Sequence, residues 1–267
     1  MTNELTEKSV SGAVHAGKIT FLNIVGGHTL LSVGFDDKLR FLSLQHATST
    51  VMDSEVVALH GQPNCIATLP ASSIFFAVST STEVALFMNR KQVGQLSLPS
   101  SSSFSANCVA LASESEVAVG CTDFKTRVYS ISDDYAFTLL TSIETRSAVM
   151  ALAYNPSCEH LAVGDNGRQV EVFARGTWSP LVTQVWSFHS SRVTCMAWSP
   201  SGAYLATGSV DECIIVWDFY SPLKKNIIPF AHSGGVTSLV WTDEENLVSS
   251  GNDHTIVTWK IPASSVV

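Results

Sequence analysis

The sequence predicts an all-β fold made of one sheet unit repeated in tandem. Three observations predict it. First, Phe188 to Asp218 reads as strand, turn, strand, turn, strand. Val193, Cys195 and Ala197 alternate with Thr194, Met196 and Trp198, and a period of two belongs to a strand. Second, the unit recurs. The position of Trp217 is filled by Leu42, Phe87, Tyr129, Phe173 and Trp259, at successive intervals of 45, 42, 44, 44 and 42 residues. Third, only 14% of the 267 residues are charged, as sheets covered on both faces require.

Each element has a local cause. Residues 1–13 precede the first repeat, and Leu5 to Val10 is the stretch that could form an outer strand. Ile19 to Ile24 is an inner strand, followed by a Gly26-Gly27 turn, a strand from Leu30 to Gly34, a Phe35-Asp36-Asp37 turn and a strand from Leu39 to Leu42. The second unit runs from Cys65 to Phe87 and turns at Arg90-Lys91 into an outer strand ending near Leu98. Pro99 to Ser105 is a low-complexity connector. The third unit covers Ala106 to Ile131 and the fourth Val149 to Phe173. In the fifth, Ser199-Pro200-Ser201-Gly202 supplies a tight turn, since Pro presets φ and Gly accepts a positive one. The sixth runs from Ala231 to Lys260, and Pro262 discourages a further central strand. Units thus fall near 14–57, 58–100, 101–144, 145–187, 188–230 and 231–261.

The order His189, Ser-Pro-x-Gly, Gly-Ser-x-Asp and Trp217-Asp218 resembles the WD-repeat family. That resemblance implies a β-propeller with six recognisable four-stranded blades, either six-bladed or six of a seven-bladed ring. The 1–13 segment is expected to lend the last blade its outer strand, because a ring must cover its open edges. His189, Thr207, Asp211 and Trp217 could pass for a catalytic set. In WD-repeat proteins the matching residues form a structural hydrogen-bond chain, from indole N–H to hydroxyl to imidazole to carboxylate. His232, Ser249, Asp253 and Trp259 repeat the set. His15, Ser32 and Asp36 retain three members, with Leu42 in place of the Trp. The second unit lacks His and Asp, and in the fourth Gly167 and Val163 replace the turn Asp and the hydroxyl.

Composition narrows the function. A net charge of −8 argues against nucleic acid as the main partner. No apolar run approaches the roughly 18 residues that cross a membrane, and the start carries no signal-peptide apolar segment. The six cysteines contain no CxxC pair, so neither a zinc nor a redox motif is expected. Cys65, Cys108 and Cys195 share one inner-strand position and read as buried free thiols. The histidines show no ligand spacing, and no phosphate loop or GxSxG is present. No cofactor, metal or catalytic residue is expected.

A narrower resemblance lies in SVGFDDKLRFLSL (32–44), QPNCIA (62–67), MALAYNPSCEHLAVGD (150–165) and AHSGGVTSLVWTDEENLVSSGNDHTIVTWKI (231–261). These segments are similar to the C-terminal half of the actin-interacting protein 1 family. That family implies a cytoplasmic, cytoskeleton-associated protein that binds actin filaments with cofilin and promotes their disassembly. It also implies that an N-terminal propeller is missing from this chain. The alternative is a scaffold or substrate-receptor module of another complex. On the face where second-to-third-strand turns meet the inter-blade loops, Phe35, Lys38, Phe124, Lys125, Arg168 and Arg192 are the candidate partner-facing residues. Turn phenylalanines and cations on an acidic chain would suit an acidic protein partner.

Overall fold

The computed structural model describes residues 15–27, 29–43, 52–69, 74–98, 104–181 and 186–262. Among them are strands and no helix, in six antiparallel sheets arranged as a β-propeller. Blade 1 holds β1 (Ile19–Val25), β2 (Thr29–Gly34), β3 (Lys38–Ser43) and β4 (Met52–Ala58). Blade 2 holds β5 (Pro63–Thr68), β6 (Phe75–Thr80), β7 (Glu83–Met88) and β8 (Lys91–Ser97). Blade 3 holds β9 (Ala106–Ser113), β10 (Glu116–Cys121), β11 (Lys125–Ile131) and β12 (Phe137–Glu144). Blade 4 holds β13 (Val149–Tyr154), β14 (His160–Asp165) and β15 (Val170–Ala174). Blade 5 holds β16 (Val193–Trp198), β17 (Tyr204–Ser209), β18 (Ile214–Asp218) and β19 (Lys225–Ile228). Blade 6 holds β20 (Val236–Trp241), β21 (Asn246–Gly251) and β22 (Ile256–Lys260). Blades 4 and 6 are three-stranded among the described residues. In blade 4, bridges from Val170 to Trp186 and Phe173 to Pro180 follow the third strand. The Leu5 to Val10 segment lies outside the described residues.

Register supports the repeat alignment. Trp217, Phe173, Tyr129 and Trp259 pair with Leu205, Leu161, Val117 and Leu247 of the adjoining strands. Cys195, Cys108 and Ala151 pair with Gly208, Gly120 and Gly164. Those glycines have a packing cause. A Cβ at Gly208 would stand 2.7 Å from the Cys195 sulfur and 2.7 Å from Val236. The inner sheet thus gives up a side chain so that a thiol and the next blade can fit.

The core lies between blades. Phe76 stacks on Phe87 at 5.0 Å between ring centres, with Phe41 edge-on to Phe76. Trp186 stacks on Trp217 at 4.7 Å. Burying each such ring contributes about 1.5–3 kcal/mol. At four joints the inner strands are also clasped one to the next by a side chain just before the Cys195-equivalent position. Between blades 4 and 5 that position is Met150, which has no donor. Thr20 donates to the Pro63 carbonyl, Asn64 to Ala106, Asn107 to Val149 and Thr194 to Val236, at 3.1, 2.7, 2.9 and 2.6 Å. Trp198 and Trp241 reach back to the carbonyls of Ala153 and Ala197.

The joint between blades 6 and 1 is built differently. Thr237, at the clasp position, bonds Ser250 of its own blade. No hydrogen bond joins β20 to β1 among the described residues. Ile256 is 72% exposed, whereas its counterpart Ile214 is fully buried against blade 6. On the other side Leu22 and Ile24 are exposed. A cleft of about 470 Å³ separates the two, lined by Lys18 to Leu22 with Thr237, Ser238, Ser250 and Asn252.

Candidate functional site

The hydrogen-bond sets sit at one end of the strands. In blade 5 the Trp217 indole N–H donates to the Thr207 hydroxyl at 3.0 Å, and that hydroxyl lies 2.8 Å from His189 Nε2. His189 Nδ1 lies 3.0 Å from Asp211 Oδ2. One proton assignment satisfies every atom: Nδ1–H donates to the carboxylate, and Nε2 accepts from the Thr207 hydroxyl. The carboxylate also accepts from the Ser190 and Cys213 backbone N–H groups. Burial alone would raise the Asp211 carboxyl, but these hydrogen bonds outweigh it and hold it at about 2. Blade 6 repeats the geometry through Trp259, Ser249, His232 and Asp253, at 2.8, 2.6 and 3.0 Å along the chain.

The degenerate units solve the same problem with other atoms. In blade 1, His15 bonds Asp36 at 2.6 Å and Ser32 at 2.9 Å. Arg40 approaches Asp36 to 3.6 Å. In blade 2, the Thr80 and Thr82 hydroxyls donate to the His60 carbonyl. In blade 4, Asp165 accepts from the Gln169 N–H at 2.8 Å. Burial pushes this carboxyl upward. In blades 1 and 2 these bonds tie the second-to-third-strand turn to the preceding loop. In blade 4 the Asp165 bond closes the turn itself, and the Asn166 N–H reaches the preceding loop at the Ala148 carbonyl.

Thr207 and Ser249 are buried and their hydroxyls are fully engaged. An attacking hydroxyl needs a free base and a site for the developing oxyanion beside it. Among the described residues, no three His, Cys, Asp or Glu side chains converge to hold a metal. All six cysteines are free, and burial pushes the Cys65 and Cys195 thiols to about 11 and 12. Thiols so buried are poor nucleophiles.

The loop face is the other candidate. At one equivalent turn position five blades carry a non-glycine residue in the left-handed region: Asp37, Phe124, Arg168, Glu212 and His254, with φ of 52, 65, 74, 68 and 62°. The turn carbonyls of Asp37, Phe124 and Glu212 accept from Leu59, Thr145 and Ala231 N–H groups of the following loops. Turn and loop therefore lie side by side on this face. Phe35 and Phe124 are 55% and 50% exposed. Lys38, Arg168 and Arg192 are exposed, and half-buried Lys125 pairs with Glu144 at 3.3 Å. Asn166 to Arg168 and Ser190 to Arg192, with Val210, line a shared cavity of about 470 Å³.

The sequence reading passed over a polar lock between blades 3 and 4. Glu116 accepts from Arg175 at 2.9 Å and from the Tyr154 hydroxyl at 3.0 Å. Tyr154 stands at the repeat position of Trp198 and Trp241 and, like them, reaches back to the preceding blade, but no spacing signals its partners Glu116 and Arg175. The clasp residues were findable: Thr20, Asn64, Asn107 and Thr194 align once the repeat is set.

Residues 180–218 and 224–260 match the WD40 family, "WD domain, G-beta repeat". Along nearly its whole length the chain is similar to actin-interacting protein 1 of Drosophila melanogaster. That match is 30% identical over 96% of this chain and 41% of the relative. Actin-interacting protein 1 of Caenorhabditis elegans is 31% identical over 93% of the chain and 40% of its own length. The 66 kDa stress protein of Physarum polycephalum is 29% identical over 94% and 40%. The chain therefore spans about two fifths of the length of these curated relatives. Among the described residues, no helix is long and apolar enough to cross a membrane.

Proposed function

From a six-sheet propeller that carries WD40 repeats, we propose a non-enzymatic protein-interaction module that binds actin filaments together with cofilin and contributes to their disassembly. It would act in the cytoplasm, on the cytoskeleton. One observation carries this reading: the similarity to actin-interacting protein 1 runs through almost all of the chain and is not confined to the two recognised repeats. The closed hydrogen-bond sets support a structural use of His189, Thr207, Asp211 and Trp217, and of their blade 6 counterparts. That leaves the loop face as the docking surface. Phe35 and Phe124 would supply its apolar contacts, and Lys38, Lys125, Arg168 and Arg192 its charge.

Co-sedimentation with filamentous actin, with and without cofilin, tests the reading. The chain should enter the pellet, and more of it when cofilin is present. Reversing two rim charges, Lys125→Glu with Arg168→Glu, should weaken pelleting most at low salt, because rim charges act through steering. Binding unchanged in the double variant would move the contact to another face. No pelleting under either condition would remove actin as the partner.

A further inference from the structure

Adjacent blade junctions on the loop face differ in one respect that points to a ligand. At the junction of blades 5 and 6, the left-handed turn residue is Glu212, and its Oε1 accepts the Gly234 N–H at 2.7 Å. A carboxylate oxygen thus completes the loop. At the junction of blades 4 and 5, the turn residue in that position is Arg168, and the residue matching Gly234 is Ser191. Arg168 has no acceptor to offer. Among the described residues the Ser191 N–H has no partner, and neither Arg168 nor Arg192 is in an ion pair. Two arginines, Arg168 and Arg192, therefore line the 470 Å³ cavity together with Ser190 and Ser191. No carboxylate lines that cavity, on a chain whose net charge is −8.

We propose that this cavity binds a carboxylate side chain presented by an acidic segment of a protein partner. One oxygen would take the Ser191 N–H as Glu212 takes that of Gly234, and the two arginines would hold the charge. Arginine suits this task, because its planar fork meets a carboxylate with two parallel hydrogen bonds. The site deepens the reading of this face as a docking surface. Its test uses no actin, so either reading can fail without the other.

The test is fluorescence anisotropy with a short labelled poly-glutamate peptide, a poly-glutamine peptide of equal length and a phosphoserine peptide, at low and moderate salt. The glutamate peptide should bind the intact chain and the glutamine peptide should not. Arg168→Glu places a carboxylate in the cavity from within, as Glu212 does next door. It should weaken glutamate-peptide binding roughly tenfold or more. Arg192→Gln should weaken it in the same direction, and Lys91→Gln, exposed at the start of β8 on blade 2, should leave it unchanged. Circular dichroism should show the same fold in all three. No binding to the intact chain, or equal binding by wild type and Arg168→Glu, would overturn the assignment. Tight binding of the phosphoserine peptide alone would overturn the carboxylate as its ligand.

Discussion

The Trp217 indole and the His189 imidazole meet on a single atom, the Thr207 hydroxyl oxygen, which lies 3.0 Å from one and 2.8 Å from the other. The oxygen accepts from Trp217 while its proton goes to His189, so one small group satisfies two large buried side chains. Thr207→Val keeps the shape and removes both bonds. It should destabilise the protein by about 1–3 kcal/mol, since two buried polar groups lose their partner. Thermal melting of Thr207→Val against Thr207→Ser checks this. The serine variant should retain most of the stability.

The Asp211 carboxyl, held at about 2 against an ordinary 3.8, makes blade 5 acid-sensitive. A carboxyl lowered in the folded state adds stability that is fully present above its unfolded value and lost as pH falls through its folded one. The window is therefore about pH 4 to 2. The half-buried position reduces the effect to about 1 kcal/mol. Melting curves of wild type and Asp211→Asn should be furthest apart above pH 5 and converge towards pH 2. A constant gap across that range would remove the carboxylate from the account.

Gly208→Ala should be costly although alanine suits a strand. Its Cβ would press on the Cys195 sulfur and on Val236 of the next blade. Overpacking of this kind costs about 1–3 kcal/mol. Urea denaturation should show the loss. Adding Cys195→Ala should recover part of it and Val236→Ala a further part, because the two contacts are separate.

Much of this was legible in the sequence because the repeat is a physical unit. Trp217, Cys195 and their counterparts are placed by packing that recurs every blade, and the His, hydroxyl and Asp of blades 5 and 6 stand at fixed offsets from them. Irregular partners were not legible. Arg175 and Glu116 are 59 residues apart and meet only because blades 3 and 4 adjoin. Thr80 and Thr82 replace a histidine network with bonds to a backbone carbonyl, and a carbonyl carries no sequence signature. The paired arginines of blades 4 and 5 were each visible. Their shared cavity was not, since it is made by register between two blades.

The joint at Thr237 changes how the whole ring should come apart. A circle with equal joints has no preferred place to begin unfolding. Among the described residues the joint of blades 6 and 1 has no hydrogen bond between its inner strands. The joint of blades 4 and 5, with Met150 at the clasp position, is still held by Trp198. The described blades thus behave as a row of six units with blades 1 and 6 at its ends. In such a row stability is a sum of unit and nearest-neighbour terms, and the ends fray first. Amide exchange should then be graded rather than uniform. It should be slowest in the inner strands of blades 3 and 4, with Val240 and Leu22 on opposite lips of the same opening exchanging early.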